Sequence, residues 1–535
     1  MAVTALFPLV PANRHAGTTT CKDQMKSRID PHRFHQALIL LFGLVALLMG
    51  LNAWTYSHVT GIPLVQADAW VFLDTYVRKY LEGNFGWRDF FLQAHSSDTN
   101  LPLHKLILLF HINHFHMEFK VEGLIGVASG IALVVLLTVA AAGMNPARWR
   151  LAGFALMAWL AMVTLSLNSH NVYTWPLATM WFFHLLLVSG YLVFMARPVV
   201  GLKAALAATV LFALLMDEVA LITVLAAVAA LLIQRDARPW RGRLLQGAGA
   251  LAGLLIVRAL FWWFNTAHGV LPEATSAPGL LQNLINLVWS QGLQLVLIPL
   301  SDSLVHQGAL EAWYPLRHGL IGNLIGVALV LAHVWFWWQA FRSRDVLPAD
   351  AVRIRRVAIA LMLFFYGTVA GIALQRIPAF GIEYLHQPRY VIFYQLNLAA
   401  LGLMAYSVFS GRPAAGRRDQ VTASLLVMTL LGLGLLQWHL SQRSWDHAKY
   451  LSVYVEGVAA TMGQLAADPG AKIPCADILT VCDFPTAKRR DLMYLLQNYQ
   501  LNIFNPDFQA LYRLRPTPPP AAADSADAAS SEPGG

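Results

Sequence analysis

One carboxylate, Asp68, stands where it could act on a substrate at a membrane surface. It lies in the Gln-Ala-Asp-Ala-Trp segment 66–70, directly after the first long apolar stretch. The residues three and four positions further on are apolar, so no helical ion pair explains Asp68, whereas Asp74 has Arg78 four residues on. A carboxylate that is partly removed from water can serve as a general base or bind a divalent ion. The competing interpretation is a helix N-cap, because Asp is a favoured cap.

Three further acidic residues interrupt uncharged sequence. Asp98, in the Ser-Asp-Thr-Asn segment 97–100, could share a substrate or an ion with Asp68, although alone it is typical of a polar turn. Asp217 and Glu218 stand between two apolar stretches, and acidic residues near membrane depth are functional candidates by default. A solvated turn explains this pair equally well.

Histidines raise the question of a metal site in one short stretch, which contains His104, His111, His114 and His116. His170, in a polar turn between two apolar stretches, is a further polar site candidate. The spacing fixes no third ligand, so side chains that decorate an interfacial helix are the favoured interpretation. No cofactor follows from these residues, and a divalent ion, Mg or Mn, stays open.

Arginines near the ends of later apolar stretches predict a phosphate site. Arg258, Arg376 and Arg389 have such positions, and Tyr390 follows Arg389 directly. A guanidinium group binds phosphate oxygens through two parallel hydrogen bonds and keeps its charge. The alternative is that these side chains extend to lipid headgroups.

The elements that must position these residues are membrane helices. The chain has 535 residues, of which 57% are hydrophobic and only 13% charged, and its mean hydropathy is +0.52. Soluble domains carry about a quarter of their residues as charged side chains. The sequence therefore predicts an integral membrane protein and argues against a cytosolic enzyme or a DNA-binding protein. The net charge of +9 fits basic loops on the cytoplasmic side of a membrane and does not indicate nucleic acid.

Apolar stretches long enough to cross a bilayer predict an all-α polytopic protein with about eleven spans. Basic residues cluster in alternate loops, which places the N-terminus in the cytoplasm and the C-terminus outside it. Counting Leu284–Leu300 as a crossing would break this alternation, so we expect that segment to be re-entrant, interfacial or half of a hairpin. The predicted spans are residues 36–54, 122–143, 151–168, 174–195, 203–216, 218–233, 244–263, 319–341, 357–374, 390–409 and 421–438.

These spans divide the chain into parts with different surroundings. The predicted parts are a cytoplasmic tail at 1–35, a membrane domain at 36–438 with an external loop at 55–121, an extracytoplasmic region at 439–514 and a disordered tail at 515–535. Apolar periodicity predicts interfacial helices at 68–81 and 101–115, and further helices near 450–465 and 490–501.

Two cysteines of the predicted extracytoplasmic region bear on its compartment. Cys475 and Cys482 lie seven positions apart, and an oxidising compartment would allow a disulfide between them. Two free thiols are the alternative.

Three short motifs resemble polytopic bacterial glycosyltransferases of the GT-C type. The Asp-Ala-Trp segment 68–70 resembles the Asp-Asp-Trp of that group, without its second Asp. Segment 87–106 resembles the loop that follows, with Ser-Asp-Thr-Asn at 97–100 where the group has Asn-Glu-His-Arg. The Pro-Arg-Tyr segment 388–390 resembles a Ser-Arg-Tyr that opens a late span. The layout of spans and external loops is similar over the whole membrane region.

The resemblance implies transfer of a sugar from a polyprenyl-phosphate carrier to a glycan, lipid or protein acceptor, with inversion. The reaction would take place at the outer face of the bacterial cytoplasmic membrane. Asp68 would accept the proton of the acceptor hydroxyl or hold an ion, and Arg389, with Arg376 or Arg258, would stabilise the departing lipid phosphate. The missing second acid weakens the expectation of a bound metal.

Other functions stay open at this stage. A polysaccharide polymerase or ligase would use similar chemistry, a lipid or solute transporter would place charges at the middle of the membrane, and an envelope-assembly scaffold would need no catalytic group. The sequence has no Walker A loop, Rossmann glycine motif, Gly-x-Ser-x-Gly elbow or His-Glu-x-x-His motif. ATP-driven transport and standard zinc proteolysis are therefore unsupported.

Overall fold

The structure is a computed structural model of the full chain. It describes residues 31–92, 102–144, 151–216, 218–234, 240–268, 277–342, 348–409, 417–476 and 478–513. Asp98, Asp217, most of the predicted N-terminal tail and the predicted disordered tail lie outside these residues.

Every regular element in the described ranges is helical. The first half of the chain contains α1 (Pro31–Thr60), α2 (Asp68–Phe72), α3 (Arg78–Leu81), α4 (Pro102–Phe115), α5 (Phe119–Ala142), α6 (Leu151–Thr164), α7 (His170–Thr174), α8 (Pro176–Thr179), α9 (Trp181–Met195), α10 (Leu202–Met216), α11 (Glu218–Ile233) and α12 (Trp240–Ala267). The second half contains α13 (Ala277–Leu304), α14 (Gln307–Trp313), α15 (His318–Arg342), α16 (Ala349–Phe380), α17 (Val391–Phe409), α18 (Arg417–Ala448), α19 (Leu451–Ala467), α20 (Thr486–Asn498) and α21 (Pro506–Tyr512).

Short helical turns of other types join some of these helices. A π-helix at Leu73–Val77 makes α2 and α3 continuous, which gives the helical stretch predicted at 68–81. The 3-10 turns are Trp87–Phe90, Leu167–Ser169, Ile382–His386, Pro388–Tyr390, Thr480–Asp483 and Asn502–Phe504.

Seven helices of the described part are long and apolar enough to cross a membrane, which makes the protein a multi-pass, all-α membrane protein. A helix suits this environment because it satisfies its backbone hydrogen bonds within itself. The seven are His35–Thr60, Phe119–Ala142, Pro176–Met195, Trp240–Ala267, His318–Arg342, Ala349–Phe380 and Pro388–Phe409. Three shorter apolar helices, α6, α10 and α11, coincide with other predicted spans, and α18 contains the last one.

The segment Leu284–Leu300 lies within α13, which is not one of the seven candidate spans. A kink at Gln291, with φ −137°, divides α13 into two arms. Before the kink, α13 lines a cavity with the C-terminal end of α16, and after it Asp302 contacts His386 in the loop that follows α16. Both arms therefore contact the C-terminal end of α16 or the loop that follows it.

Two regions distant in sequence fold together as one unit outside the helical bundle. We call residues 61–92, 102–118, 451–476 and 478–513 the cap. Their apolar side chains form a core that is separate from the core of the membrane domain. Within the cap, the Ala67 N–H donates to the Ile478 carbonyl at 2.7 Å, and the Thr480 hydroxyl donates to the Ala67 carbonyl at 2.9 Å. The early loop and the C-terminal region thus depend on each other for folding.

Asn502 fastens the two ends of the first cap segment. Its side-chain N–H groups donate to the carbonyls of Pro63 at 2.9 Å and Met117 at 2.6 Å, and its backbone N–H donates to the His116 carbonyl at 2.8 Å. Cys475 and Cys482 form a disulfide in the same region. The predicted helices near 450–465 and 490–501 are α19 and α20, with ends shifted by a few residues.

Candidate functional site

A buried carboxylate and an imidazole meet where α13 ends beside the loop after α16. Asp302 Oδ2 lies 2.7 Å from His386 Nδ1, and Asp302 is 1% exposed. The other oxygen, Oδ1, accepts from the Gln307 backbone N–H at 3.1 Å. In the neutral ring, a carboxylate fixed in this way assigns the proton to Nδ1, which leaves Nε2 as the proton acceptor, 3.8 Å from Glu383 Oε2. The arrangement can orient His386 as a proton acceptor.

The surroundings of His386 favour its protonated form. Burial alone would lower the His386 pKa, but the hydrogen bond and charge of Asp302 outweigh it, assisted by the charges of Glu383 and Glu311. The His386 pKa therefore lies above the ordinary histidine value. A raised pKa makes the neutral imidazole a stronger base, because Asp302 stabilises the imidazolium that proton uptake forms.

A second layer of hydrogen bonds holds this pair in place. His306 Nε2 binds the His386 carbonyl at 2.7 Å, and His306 Nδ1 accepts from the Gly308 N–H at 3.1 Å. Asn168 accepts from the His306 N–H at 2.6 Å and donates to the Asp302 carbonyl at 2.7 Å. The polar turn that precedes α7 thus supports a carboxylate on α13.

A small polar cavity of about 250 Å³ opens beside the pair, between α13, α14, α15 and the loop after α16. The lining includes Leu297, Ile298 and Leu310 among many more hydrogen-bonding side chains. Besides Asp302 and His386, the polar lining residues are Gln294, Ser301, Gln307, His318, Asn323 and Glu383. A cavity of this size and polarity suits a ligand that carries several hydroxyl groups.

Arg389 lies three residues after His386, inside a ring of aromatic side chains. Its guanidinium carbon is 5.3 Å from the centre of the Tyr390 ring, 5.7 Å from that of Tyr384 and 5.9 Å from that of Trp175. Nη2 donates a hydrogen bond to the Tyr384 hydroxyl. Nε is buried and has no hydrogen-bond partner among the described residues. A buried cationic donor without a partner suits an anionic oxygen of a ligand.

The other two predicted phosphate ligands occupy different positions. Arg376 is exposed near the end of α16, and its charge acts on the Tyr390 hydroxyl. Arg258 lies on α12, and its charge acts on Glu218 at the start of α11. The structure therefore associates Arg376 with Arg389 and Tyr390, and it associates Arg258 with the acidic candidate Glu218.

Asp68 lies in the cap as the exposed first residue of α2. The N-cap of α2 is Ala67, which has φ 47° and makes no side-chain cap hydrogen bond. The interpretation of Asp68 as the helix cap is therefore wrong. Two hydrogen bonds hold Ala67 at its positive φ: the Thr480 hydroxyl donates to the Ala67 carbonyl, and the Ala67 N–H donates to the Ile478 carbonyl. The C-terminal region therefore fixes the start of α2, where Asp68 lies. The predicted ion pair of Asp74 with Arg78 is confirmed at 3.0 Å.

The candidates His104 and His170 lie in separate packed environments, His104 buried and His170 half-buried. His104 Nε2 lies 3.4 Å from Glu122 Oε1, and Glu122 is fully buried. The His170 ring stacks on His447 with centroids 5.0 Å apart. Burial, reinforced by the charges of His447, Arg443 and His306, lowers the His170 pKa to about 4. Within the described ranges, no three His, Cys, Asp or Glu side chains are grouped to hold a metal ion.

Sequence reasoning missed Asp302, His306 and His386, which are the best-organised polar residues of the membrane domain. Asp302 and His306 directly follow the apolar segment that we expected to be re-entrant, and His386 precedes the Pro-Arg-Tyr motif by two residues. A carboxylate at the end of a segment that cannot be a simple crossing is the signal that could have found them.

No protein-family model, no curated protein and no solved structure matches this chain. The interpretation of the site therefore rests on its own residues.

Proposed function

We propose that the protein is a glycosyltransferase that moves a sugar from a polyprenyl-phosphate donor to a hydroxyl group of an envelope glycan, lipid or protein. One observation carries the proposal. The loop that joins α16 to α17 presents both an imidazole oriented by a carboxylate and, three residues later, a caged arginine with an unpaired N–H. Glycosyl transfer from a phosphate needs a base that takes the proton of the attacking hydroxyl group. It also needs a cation that stabilises the phosphate of the donor.

The proposed reaction assigns one role to each group. His386 Nε2 takes the proton of the acceptor hydroxyl as its oxygen forms a bond to the anomeric carbon. The bond from that carbon to the phosphate oxygen breaks, and its electron pair stays on the departing polyprenyl phosphate. Arg389 stabilises that added charge, and attack from the face opposite the phosphate inverts the anomeric centre. Asp302 holds the imidazole and favours the imidazolium that forms.

The membrane setting supports a lipid-linked donor. The multi-pass helical domain gives a long polyprenyl chain access to the site from within the bilayer. The sequence resemblance to GT-C glycosyltransferases and the basic loops favour the bacterial inner membrane, with the N-terminus in the cytoplasm and the cap outside. The disulfide in the cap is consistent with an oxidising compartment.

Asp68 is the alternative to His386 as the base of the proposed transfer, because the resemblance to GT-C glycosyltransferases implies that role for it. Asp68 is exposed on the cap, whereas His386 is oriented by a buried carboxylate and borders a cavity. We therefore place proton transfer on His386 and give Asp68 the contact with the acceptor. A requirement for Mg or Mn is a separate expectation, which dialysis against EDTA followed by readdition of each ion would test.

The test measures release of polyprenyl phosphate from a panel of lipid-linked sugars by the purified protein in nanodiscs, with an envelope extract as acceptor source. The variants are His386→Ala and Asp68→Asn, and His439→Ala on the exposed face of α18 is the control. We expect turnover by the wild type and the control and near-complete loss in His386→Ala. Loss in Asp68→Asn with retention in His386→Ala would move the base to the cap. Absence of release from every donor would favour the transporter or scaffold alternatives.

A further inference from the structure

Two buried N–H groups without a hydrogen-bond partner lie in the ring of aromatic side chains around Arg389. One is Nε of Arg389 itself, and the other is the indole Nε1 of Trp175. The Arg389 guanidinium carbon is 5.9 Å from the centre of the Trp175 ring, so the two donors belong to side chains in contact. Neither N–H has an acceptor among the described residues. A buried donor without an acceptor is costly, and each such group needs an explanation.

Both residues lie at the start of a candidate membrane span. Trp175 directly precedes the span Pro176–Met195, and Arg389 is the second residue of the span Pro388–Phe409. The contact between their side chains brings these two span starts to the same side of the membrane domain. Residues at the end of a span lie near the level of the lipid headgroups. The two donors are therefore at the depth at which a lipid carries its phosphate.

The turn between α7 and α8 holds Trp175 in place. Its backbone N–H donates to the Asn171 carbonyl at 3.1 Å, and its carbonyl accepts from the N–H groups of Ala178 and Thr179 at 2.9 and 3.0 Å. The helix α7 packs against the 3-10 turn that carries Arg389. An interfacial tryptophan ordinarily directs its indole N–H to water or to headgroups. The indole N–H of Trp175 is buried, so a place in the interfacial belt does not explain it.

Tyr384 gives a ligand a route to Arg389. Its hydroxyl accepts a hydrogen bond from Arg389 Nη2, and its ring stacks on the ring of Phe380 with centroids 4.6 Å apart. Phe380 is 57% exposed, so this stack lies at the surface of the protein. A phosphate oxygen that replaces the Tyr384 hydroxyl at Nη2 would reach the guanidinium group from that surface.

The chemistry of the cage favours an anion. Arg389 is a cation, and the charge of Arg376 acts on the Tyr390 hydroxyl in the same ring of side chains. The two unpaired buried groups, on Arg389 and Trp175, are both donors. A phosphate group offers several oxygens that accept hydrogen bonds, and bonds to a charged acceptor are stronger than bonds between neutral groups.

We propose that Trp175 is a second phosphate-binding residue, whose indole N–H donates to the phosphate of the polyprenyl-linked donor beside the Nε–H of Arg389. This inference rests on the proposed function, which already gives that phosphate to Arg389. Two donors on different side chains hold two oxygens and so fix the orientation of the phosphate. Both hydrogen bonds become stronger as the bond to the sugar breaks, because the negative charge on the phosphate grows.

Two tryptophans that each contact an arginine offer a matched pair of variants. Trp175→Phe keeps an aromatic ring beside Arg389 and removes the indole N–H. Trp87 has the Arg88 guanidinium carbon 5.8 Å from its ring centre, but it is 65% exposed and lies in the cap. Trp87→Phe therefore makes the same change at a tryptophan–arginine contact outside the cage. Because the Trp175 indole makes no hydrogen bond to the described residues, its loss should lower the unfolding midpoint no more than Trp87→Phe does.

The experiment measures the binding of farnesyl phosphate, a short isoprenoid phosphate, to the purified protein in nanodiscs by calorimetry. We expect wild type and Trp87→Phe to bind it equally and Trp175→Phe to bind it about tenfold more weakly, the usual effect of losing a hydrogen bond to a charged group. Farnesol, which has no phosphate, should bind more weakly and equally to all three proteins. Inorganic phosphate and phosphatidic acid test free phosphate and a bilayer headgroup as other sources, and each should compete less well than farnesyl phosphate.

Four results would overturn the inference. These are unchanged affinity of Trp175→Phe for farnesyl phosphate, an equal loss of affinity for farnesol, an equal loss in Trp87→Phe, and equal or better competition by inorganic phosphate or phosphatidic acid. Arg389→Lys separates the inference from the proposed function. Loss of affinity in Arg389→Lys alone would retain the phosphate site and reject the role of Trp175. Unchanged affinity in both Arg389→Lys and Trp175→Phe would reject the phosphate site on which the proposed function depends.

Discussion

The protein buries two pairs that join a carboxylate to an imidazole, and they differ in ways that matter for chemistry. In Asp302–His386 the two atoms are 2.7 Å apart, the second carboxylate oxygen accepts a backbone N–H, and a polar cavity borders the ring. In Glu122–His104 the separation is 3.4 Å, and neither carboxylate oxygen has a hydrogen bond within the described part of the chain. A carboxylate and an imidazole thus form an oriented, hydrogen-bonded pair in one place and an enclosed contact without a hydrogen bond in the other.

The difference teaches that burial alone does not make a reactive site. Glu122 is fully enclosed where α4 packs over α5, with the rings of Phe72 and His184 beside His104. None of the main cavities in the described part of the chain borders that pair, and packed rings surround His104. Asp302 is equally buried, but it acts through His386, which borders the cavity. A hydrogen bond that fixes the ring and a space that admits a ligand are what separate the two pairs.

The largest expected effect on activity comes from the Asp302–His386 pair, which borders the cavity. His386→Ala removes the proposed base, and we expect transfer to fall by about 10²–10⁴-fold, the usual contribution of general base catalysis. Release of polyprenyl phosphate measures the rate, and thermal unfolding in detergent measures folding. A variant that folds normally and retains full activity would contradict the role given to His386.

A substitution in the enclosed Glu122–His104 pair should lower the free energy of unfolding. Glu122→Ala leaves a void beside His104, and truncating a fully buried side chain to alanine costs about 2–5 kcal/mol. We expect a clear drop in the unfolding midpoint. Glu122→Gln, which keeps the volume, should cost less. An unchanged midpoint in Glu122→Ala would mean that this pair does not hold α4 against α5.

A smaller loss of activity is expected at Arg389. Arg389→Lys keeps the positive charge but loses the planar group that packs among Trp175, Tyr384 and Tyr390. We expect a fall of about 10- to 100-fold in kcat/KM, consistent with weaker stabilisation of the departing phosphate. The matched control is Arg376→Lys on the exposed end of α16, which should fall by less. Equal losses of kcat/KM in the two variants would contradict the specific role given to Arg389.

The smallest effect is a shift in the pH dependence of the rate. The neutral form of His386 is the active base, and its raised pKa keeps it protonated to higher pH, so the rate should rise with pH through a value above the ordinary one of about 6.5. Asp302→Asn removes the charge that raises this pKa and should move the rise to lower pH. The pH profile of kcat/KM in both proteins gives the measurement. A rise that stays at the same pH in Asp302→Asn would show that Asp302 does not act on His386.

Local sequence patterns predicted much of the fold. Apolar length located α1, α5, α12 and α15 as spans, and periodicity located the helices of the cap, because both signals lie within one element. The alternation of basic loops predicted that residues 284–300 are not a simple crossing, and α13, which contains them, is not among the seven candidate spans of the described residues. The kink at Gln291 and the packing of both arms of α13 against one end of α16 depend on contacts between distant elements, so no local pattern contains them.

The candidate site was predicted only in part. Arg389 and Tyr390 are adjacent in the sequence and lie together in the structure. The charge of Arg376 acts on the Tyr390 hydroxyl. Asp302 and His386 are 84 positions apart in the chain, and nothing in either segment alone indicates that they meet. Their pairing depends on the path of α13, and that path follows from packing rather than from periodicity.

The most direct test compares one histidine from each pair in the same preparation. His386→Gln and His104→Gln remove one imidazole each, and release of polyprenyl phosphate is measured beside the unfolding midpoint. The account predicts that His386→Gln loses transfer while keeping its midpoint, and that His104→Gln keeps transfer while losing stability. Retained transfer in His386→Gln, or equal loss of transfer in two folded variants, would contradict the claim that the cavity beside Asp302 and His386 is the site of reaction.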